Sequence, residues 1–542
     1  MATINIKLNK NFTTQLNRLL EEYGTEFATI NGIADEQLNL TNFIDNFVDT
    51  DVVADASIDG NANVGHKDIV SMLNEMDKPH QKLLALNKLY YEMHKRYGFK
   101  AANIWLELEW TKGLGMHDSH TSTFLPYCFA YDLKDLAERG LFFIDHFNAE
   151  APQHLETFVD FVKEYCSYAS NRSAGACAFP NLIPYMWYFW NKDINNNYMG
   201  VTKEYAESFA KQQIQRLIYA LNQPFLRNSI QSAFTNVNFF DHPYFEAIFG
   251  GAVFPDGTPF VDAEEEIIEF QKMFLVEMSN IRSKNMMTFP VSTISLLTTS
   301  DTHQFVDEEF ARWACEHNRK WNDSNWFIDS SVTSLSSCCR LRNDINELGY
   351  MNSIGGAALK VGSVKVSTIN LARIAYQSTT EQEYLTKLRS VVETNLQILD
   401  CQRHIIQRNI EKGLLHNFTC KMIEMSYLYS SIGILGIYET MKKFGYTTTD
   451  DFGNTYYKDE AMEFGRQIFN LIHQTIQEFA QDKDYHVNVE QIPGETAASK
   501  FLQADSLLYR KETIKDLPLY GNQWLPLGIK TTIKERIRIC SI

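Results

Sequence analysis

The chain has 542 residues, of which 44% are hydrophobic, 13% aromatic and 22% charged. This composition excludes an intrinsically disordered polypeptide and allows either several average domains or one large α/β barrel with additions. The formal net charge of −17 argues against nonspecific binding to DNA, RNA or anionic membranes, although a local phosphate site needs only a few donors at a helix N-terminus.

No hydrophobic run reaches the length of a transmembrane helix, and residues 1–7 lack the hydrophobic region of a signal peptide. We therefore expect a cytoplasmic protein whose nine cysteines are reduced unless they are catalytic. The cysteines form no C-x-x-C pair, so the sequence predicts no zinc site in this chain. Four cysteines lie in apolar or helical patterns and are predicted to be buried: Cys166, Cys315, Cys401 and Cys420.

Helical and strand patterns alternate along the chain. Residues 1 to about 50 are predicted to be helical with a break at Asn31 and Gly32, and residues 51–66 to form a polar loop. Further helices are predicted over residues 80–97, 153–168, 202–223, 262–282, 380–412 and 459–481, and strands over residues 124–131, 234–240 and 364–375. This alternation, without a flexible linker, favours one compact α/β unit.

Two adjacent cysteines, Cys338 and Cys339, lie in the segment 336–341 (SSCCRL). Adjacent cysteines are poorly suited to a structural disulfide, because the ring that they would close is small and strained. They suit a position at which sulfur performs chemistry. Because Gly355, Gly356 and Gly362 follow, the segment is predicted to be a reactive loop that leads into a buried strand.

Three further segments carry polar residues near predicted strands or helix ends. Residues 117–128 (HDSHTSTFLPYC) place Cys128 in or near a strand, and their two histidines are too few for a metal site. Residues 493–500 (PGETAASK) are typical of a helix N-terminus whose exposed N–H groups bind an anion, or of an ordinary helix capped by Glu495 or Thr496. Residues 519–527 (LYGNQWLPL) form a polar loop with aromatic anchors.

Together with residues 55–64 (DASIDGNANV) and 221–241 (LNQPFLRNSIQSAFTNVNFFD), and in this order, these segments resemble the anaerobic (class III) ribonucleoside-triphosphate reductases of the glycyl radical enzyme superfamily. The resemblance spans roughly residues 50 to 535. It implies a ten-stranded α/β barrel over residues 101–542, built of two antiparallel-related halves around a central finger loop, with a helical region over residues 1–100. It also implies a homodimer and a ribonucleotide substrate, with ATP or dNTP effectors at a helix-built interface.

The resemblance also assigns chemical roles. Breaking the C3′–H bond of ribose requires a radical, and Cys339 matches the thiyl cysteine of the family. Cys128 matches the second active-site cysteine, on the opposite face of the sugar, with a plain core cysteine as the alternative reading. Cys338 is either a spectator or a resolving thiol. The substrate-binding candidates are Glu495, Thr496, Ala497, Ala498 and Ser499 at the phosphate turn, Asn522 and Gln523 in the polar loop, and Ser363 before the buried strand.

The reductant is suggested by a departure from the family pattern. Members that use formate commonly have Met-Gly before the catalytic cysteine and an Asn shortly before the next strand. Here Ser337 and Cys338 occupy the first places, and Ser363 occupies the second. This departure favours reduction by a small redoxin over reduction by formate.

The glycyl radical loop of the family, of the Arg-Val-Cys-Gly-Tyr type, does not occur in the sequence, nor do its zinc-binding C-x-x-C pairs or an ATP-cone domain. We therefore expect no metal or cofactor bound in this chain and no glycyl radical domain within it. Two explanations remain open. A separate polypeptide, activated by a radical-SAM activase, carries the glycyl radical and zinc, or the gene is truncated and its product is inactive alone.

Two other functions also remain open. A glycyl radical enzyme of the pyruvate formate-lyase type has adjacent cysteines too, but it needs neither a phosphate turn nor Cys128. A regulatory subunit that only binds nucleotides would tolerate the substitution Cys339→Ala, whereas a reductase would not. Binding of nucleoside triphosphates, as against pyruvate and coenzyme A, separates the reductase from the lyase.

Overall fold

The computed structural model describes residues 7–49, 69–144, 147–200, 202, 204–223, 225–228, 231–285, 287–332, 334–336, 342–344, 359–491 and 494–540. The loop predicted over residues 51–66 lies outside the described residues. The adjacent cysteines Cys338 and Cys339 and the glycines Gly355 and Gly356 lie outside them as well.

Helices dominate the part of the chain before residue 112. These are α1 (Lys10–Tyr23), α2 (Thr25–Asn31), α3 (Asp35–Leu38), α4 (Leu40–Asp49), α5 (Ile69–Glu75) and α6 (Lys78–Thr111). Helix α2 ends where Gly32 adopts a left-handed conformation, which confirms the predicted break. Within α6, Gly98 departs from helical geometry, with φ 86° and ψ 171°. The expected division near residue 100 therefore falls inside one long, kinked helix.

Later helices alternate with strands, as the sequence pattern predicts. They are α7 (Ser119–Ser122), α8 (Lys134–Arg139), α9 (Leu155–Ser170), α10 (Leu182–Asn195), α11 (Ala206–Leu221), α12 (His242–Phe249), α13 (Glu264–Arg282), α14 (Glu308–Trp321), α15 (Leu371–Tyr376), α16 (Glu381–Glu411), α17 (His416–Thr419), α18 (Ile437–Lys443), α19 (Asp459–Ala480), α20 (Glu495–Leu508) and α21 (Ile533–Cys540). Every long helix expected from the apolar spacing is present. Five have ends within a few residues of those predicted, whereas the helix predicted over residues 80–97 continues beyond the kink at Gly98 to Thr111.

The strands of the described residues form one large sheet and two small hairpins. They are β1 (Leu114–Met116), β2 (Cys128–Ala130), β3 (Cys177–Ala178), β4 (Thr235–Phe240), β5 (Val291–Leu297), β6 (Ser324–Asp329), β7 (Ser334–Ser336), β8 (Arg342–Asp344), β9 (Gly362–Asn370), β10 (Leu428–Leu435), β11 (Thr447–Thr449), β12 (Thr455–Tyr457) and β13 (Val487–Glu490). The hairpins pair β7 with β8 and β11 with β12.

The large sheet has nine strands, in the order β13-β10-β9-β2-β3-β4-β5-β6, with β1 paired to β9. Strands β2 to β6 are mutually parallel, and so are β9, β10 and β13. The two parallel halves meet antiparallel at β2 and β9, where Cys128 lies opposite Ser363 and Phe129 opposite Gly362. This confirms the α/β class and the antiparallel relation of the halves. The described pairings include no bond that closes the sheet into a ring.

Two strand predictions differ from the structure. The strand expected over residues 124–131 is limited to β2, because the N–H groups of Phe124 and Leu125 bond back to Thr121 in a turn. The strand expected over residues 364–375 ends at Asn370, whose side chain accepts a hydrogen bond from the N–H of Arg373 and starts α15. A capping side chain therefore ends the strand pattern although the apolar run continues.

Two large hydrophobic cores flank the sheet. One packs helices α9 to α14 against β2 to β5, and the other packs α1, α6, α16 and α19 against β9 and β10. Cys166 and Cys401 are buried as predicted and Cys420 is half-buried, but Cys315 is exposed. Cys315 lies on α14 outside the buried face of that helix, so the prediction of its burial was wrong. No helix among the described residues is long and apolar enough to cross a membrane.

Candidate active site

A cavity of about 820 Å³ brings several sequence-predicted residues together. Its walls come from α6, the segment after β1, the start of β2, residues 174–176, the loop before β4 and the first turns of α20. Cys128 lines this cavity together with Glu495, Thr496 and Ala497. Residues almost 370 positions apart in sequence thus line the same cavity.

Cys128 is held tightly at the cavity wall. It is the first residue of β2 and is 1% exposed, and its Sγ accepts a hydrogen bond from the N–H of Ala176 at 3.3 Å. A Cβ atom on Gly175 would lie 2.3 Å from this sulfur. Only glycine at position 175 therefore leaves room for the thiol, so the two residues act as one packing unit.

Gly175→Ala is therefore expected to lower the free energy of unfolding by about 1–3 kcal/mol, because the new methyl group overlaps the sulfur. The double variant Gly175→Ala with Cys128→Ala is expected to recover part of this loss, since removing the sulfur makes space. Urea unfolding of both single variants and the double variant measures this coupling. Strictly additive effects would show that the methyl group is resisted by the backbone of Tyr127 and not by the thiol.

A cluster of lysines lines the same cavity, and the sequence reasoning missed it. Lys82 lies on α6, Lys112 directly follows the end of α6, and Lys500 lies on α20. Burial, together with repulsion from Lys500 and Lys112, lowers the pKa of Lys82 to about 6. Burial and Lys112 also lower the pKa of Lys500. Glu109 forms an ion pair of 3.0 Å with Lys112, whereas Lys82 and Lys500 form no ion pair among the described residues. The cavity lining also includes the carboxylates of Glu75, Asp118 and Glu495.

The first turn of α20 faces this lysine cluster. Gly494 is the N-cap residue, and no side chain of the N-cap satisfies the first N–H groups of the helix. The proposed capping by Glu495 or Thr496 is therefore not seen at the N-cap position. Unsatisfied N–H groups and the helix dipole attract negative charge, and the neighbouring ammonium groups add to this field. The arrangement can bind a multiply charged anion such as a polyphosphate.

The other predicted substrate residues lie outside this cavity. Ala498 packs in a small core with Phe501, and the hydroxyl of Ser499 accepts a hydrogen bond from Gln503. In the polar loop, Asn522 donates to the carbonyl of Gln491 at 3.1 Å. Gln523 and Ser363 are likewise not among the cavity residues.

Ser363 instead begins a buried chain of hydrogen bonds that ends at Glu490 on β13. The hydroxyls of Ser363 and Ser431 lie 2.9 Å apart, and the Ser431 hydroxyl donates to Oε1 of Glu490 at 3.1 Å. Asn488 donates to the same oxygen at 2.6 Å, whereas Oε2 has no partner among the described residues. Burial raises the pKa of Glu490 to about 8, with a further contribution from Cys128. Glu490 is therefore protonated at neutral pH.

The sequence reasoning also missed Glu490, which does not line the cavity but is connected by the Ser363 and Ser431 hydroxyls to the strand position opposite Cys128. The available signal was a single carboxylate at the end of an apolar strand pattern, just before the small-residue turn at residues 493–499. Carboxylates with a strongly raised pKa next to a cavity are candidates for proton transfer.

The histidine-containing segment before Cys128 forms a structural turn, as expected. Nε2 of His117 lies 2.7 Å from the hydroxyl of Thr368, and the carbonyl of His117 accepts a hydrogen bond from buried Lys365. Burial lowers the pKa of His117 to about 4 and that of Lys365 to about 7. Among the described residues, no group of three His, Cys, Asp or Glu side chains is placed to hold a metal ion.

Several buried polar atoms on the sheet have no hydrogen-bond partner among the described residues. They lie on β4, β5, β10 and β13 and are Oγ1 of Thr235, Oδ1 of Asn236, Oγ of Ser295, Oγ of Ser430, Oδ1 of Asn488 and Oε2 of Glu490. Unpaired buried polar groups cost free energy unless another group satisfies them. These oxygen atoms are able to accept hydrogen bonds from water or from a bound polar molecule.

The hairpin β7–β8 lies beside this sheet. β7 contacts both β5 and β6, and the two hairpin strands directly precede and follow residues 337–341. The predicted catalytic residues Cys338 and Cys339 belong to that segment and are outside the described residues, so the structure gives no distance between them and Cys128.

Comparisons with known proteins identify the family. The family model for anaerobic ribonucleoside-triphosphate reductase matches residues 77–541. No curated protein matches the chain. Among solved structures, the anaerobic ribonucleotide reductase from Thermotoga maritima in complex with dATP and CTP is 32% identical, with a TM-score of 0.87, over 99% of this chain and 84% of that one.

Two further structures agree with this match. The Thermotoga maritima enzyme with citrate in the active site is 32% identical, with a TM-score of 0.86, over 99% of this chain and 92% of that one. Another anaerobic ribonucleotide reductase is 34% identical, with a TM-score of 0.88, over 99% of this chain and 82% of that one. The sequence and the fold agree over nearly the whole chain, which therefore belongs to the anaerobic ribonucleoside-triphosphate reductase family.

Proposed function

We propose that this chain is the catalytic part of a ribonucleotide reductase that binds ribonucleoside triphosphates in the 820 Å³ cavity and reduces them by thiyl-radical chemistry. The observation that carries the proposal is the shared cavity of Cys128, the N-terminus of α20 and the lysine cluster formed by Lys82, Lys112 and Lys500. A reducing sulfur and a group of anion-attracting residues in one cavity fit a phosphorylated sugar as substrate.

The reaction assigns a separate task to each group. A thiyl radical on Cys339 takes the C3′ hydrogen atom, after which the 2′-hydroxyl takes a proton and leaves as water. Two further thiols, Cys128 and Cys338 in its resolving role, supply two electrons and two protons and become a disulfide. Of these protons, one ends on C2′ and one replaces the proton lost with the water. Cys339 then returns the hydrogen atom to C3′, which restores the thiyl radical. We assign the donation of the proton to the leaving hydroxyl to protonated Glu490, which Ser431 and Ser363 link to the strand position opposite Cys128.

Nucleotide binding tests the lysine cluster and needs no radical. We expect CTP to bind the isolated chain, and pyruvate or coenzyme A not to bind in its place. Lys500→Gln should weaken CTP binding about tenfold or more, because one charge-assisted contact is lost. Isothermal titration calorimetry measures both. As a matched control, Lys192→Gln removes a lysine outside this cavity and should leave CTP affinity unchanged.

CTP binding should also take up protons above pH 6. In the free protein the pKa of Lys82 is lowered to about 6, and a bound polyphosphate would raise it by supplying negative charge. The affinity for CTP is therefore expected to fall as the pH rises from 6 to 8. Calorimetry in buffers of different ionisation enthalpy counts the protons. Release of protons on CTP binding, or a CTP affinity that does not change with pH, would contradict the assignment of the lysine cluster as the phosphate site.

We further propose that a separate polypeptide carries the glycyl radical and its zinc site, and that a radical-SAM activase forms the radical there. The 542 residues contain neither motif, so the radical has to be supplied from outside them. A small redoxin is the proposed reductant, nucleotides (ATP or dNTP) the proposed effectors, and a homodimer the proposed assembly. With activase, S-adenosylmethionine and reductant, the chain alone is expected to show no turnover. Anaerobic co-purification followed by EPR should locate the radical on the partner polypeptide, and turnover by the isolated chain would contradict this.

A further inference from the structure

The cavity lining also contains a second group of residues, which is chemically different from the lysine cluster and is called the Arg227 end. The group comes from the loop before β4 and the start of β5, and consists of Arg227, Asn228, Gln231, Phe234, Phe289 and Val291. It combines two aromatic rings, two side-chain amides and one guanidinium, with no carboxylate among these residues. Flat aromatic surfaces with a few polar groups are typical of sites for planar, uncharged rings.

Arg227 is fixed in place by backbone contacts. One guanidinium nitrogen, Nη2, donates to the carbonyls of Ser173 at 3.2 Å and Ala174 at 2.7 Å. The backbone of Arg227 forms two hydrogen bonds with Gln231, of 2.9 and 3.0 Å. The guanidinium carbon also lies 4.9 Å from the centre of the Phe234 ring. The side chain is therefore preorganised, so little conformational entropy would be lost when it binds a ligand.

The same side chain is left with unused donors. Arg227 is 6% exposed, yet Nε and Nη1 have no hydrogen-bond partner among the described residues. No carboxylate of the described residues forms an ion pair with it. A buried guanidinium with two nitrogens that form no hydrogen bond destabilises the fold unless a ligand supplies acceptor atoms.

The position of Arg227 relative to Cys128 indicates which part of a bound nucleotide would supply these acceptor atoms. Ser173 and Ala174, which hold Arg227, directly precede Gly175, and Gly175 packs against the sulfur of Cys128. If the polyphosphate lies at the lysine cluster and the ribose at Cys128, the nucleobase is the part of the substrate left for the Arg227 end. Guanidinium groups pair well with carbonyl and ring-nitrogen acceptors of bases.

We propose that Arg227 is a nucleobase-binding residue of this enzyme and that its free guanidinium nitrogens donate to acceptor atoms of the substrate base. This inference rests on the proposed nucleotide function. It adds a specificity-determining contact, separate from the phosphate contacts that all nucleotides share.

Calorimetric titration of the full chain with two probes tests the assignment. The probes are CTP, which has a base, and inorganic tripolyphosphate, which has none. Arg227→Met is expected to weaken CTP binding about tenfold or more and to leave tripolyphosphate binding unchanged. Lys500→Gln, the matched control, is expected to weaken both probes. A loss of both probes in Arg227→Met, or of neither, would overturn the proposal.

A second variant controls for the possibility that Arg227→Met does not fold. Arg227→Lys keeps the positive charge but loses the planar arrangement of donors, so it should bind tripolyphosphate normally and CTP less tightly. If Arg227→Lys binds CTP as the wild type does, the guanidinium contact with the base is refuted. If the wild type binds neither probe, the nucleotide function itself fails and the base assignment fails with it.

Discussion

Cys128→Ser is expected to abolish turnover of the reconstituted enzyme, by about a thousandfold or more, while leaving CTP affinity unchanged. The physical reason is that a hydroxyl fills nearly the same space against Gly175 but cannot supply an electron and a hydrogen atom to the sugar. Anaerobic assays of deoxyribonucleotide formation, combined with calorimetric CTP titration, measure the two properties on the same samples.

Cys339→Ala provides the comparison that separates the two sulfurs. Both variants should be inactive in turnover, but only Cys128→Ser should still exchange the C3′ hydrogen of the substrate, because that step needs the thiyl radical alone. Tritium release from 3′-labelled nucleotide detects the exchange. Full turnover by Cys128→Ser would show that Cys128 is an ordinary core cysteine, and full activity of Cys339→Ala would favour a subunit that only binds nucleotides.

Glu490→Gln is expected to lower the rate at pH 7 by about a hundredfold, because an amide cannot donate the proton of a carboxylic acid. Since the pKa of Glu490 is raised to about 8, the wild-type rate should fall as the pH rises through 8 and the acid form is lost. The Gln variant should lack this alkaline decline. Rates measured between pH 6 and 9 give both profiles.

Glu439 offers a matched control for this experiment. It is buried in the first turn of α18, and burial raises its pKa to about 8 as well, but Cys128 contributes to the shift of Glu490 and not to that of Glu439. Glu439→Gln should therefore keep the wild-type decline in rate. An unchanged rate in Glu490→Gln, or the same change in both variants, would refute a role of Glu490 in the reaction.

The stability of the two variants should change in the same direction. In the unfolded chain a glutamate ionises near its ordinary pKa of 4.5, whereas these two stay protonated up to about pH 8 in the fold. Their ionisation therefore opposes folding, and the wild type should lose stability as the pH rises from about 4.5 to 8. Each Gln substitution should remove part of this decline, which thermal unfolding at several pH values can measure.

Periodic spacing in the sequence was enough to predict the long helices and the α/β class, because helix α16 and helix α19 repeat apolar residues over many turns. It was less successful where a local hydrogen bond decides the outcome. The apolar run after Asn370 continues as a helix because the side chain of that residue caps it, and Cys315 is exposed because its helix turns it away from the core.

The candidate site was predictable only in part. The motifs that resemble the family pointed to Cys128 and to the start of α20, and the fold brings both into one cavity. Lys82, Lys112 and Arg227 lie in ordinary helical or loop patterns, where a lysine or arginine is usually solvated. Their importance depends on burial and, for Lys82 and Arg227, on the absence of an ion-paired carboxylate among the described residues. These properties arise only when distant segments pack together.

The junction of the two sheet halves links the position of Cys128 to any movement of one half relative to the other. Strands β2 and β9 pair through two residue pairs, one of which contains Cys128, and Ala130 forms further backbone hydrogen bonds with Lys360 and Val361 beside them. Gly362 belongs to the other pair, and a Cβ atom there would lie 2.1 Å from the carbonyl oxygen of Cys128. The reactive sulfur is thus part of the seam that holds the halves in register. A sliding of one half against the other would therefore displace this sulfur, so the ability of Cys128 to reduce the substrate depends on the register between the two halves.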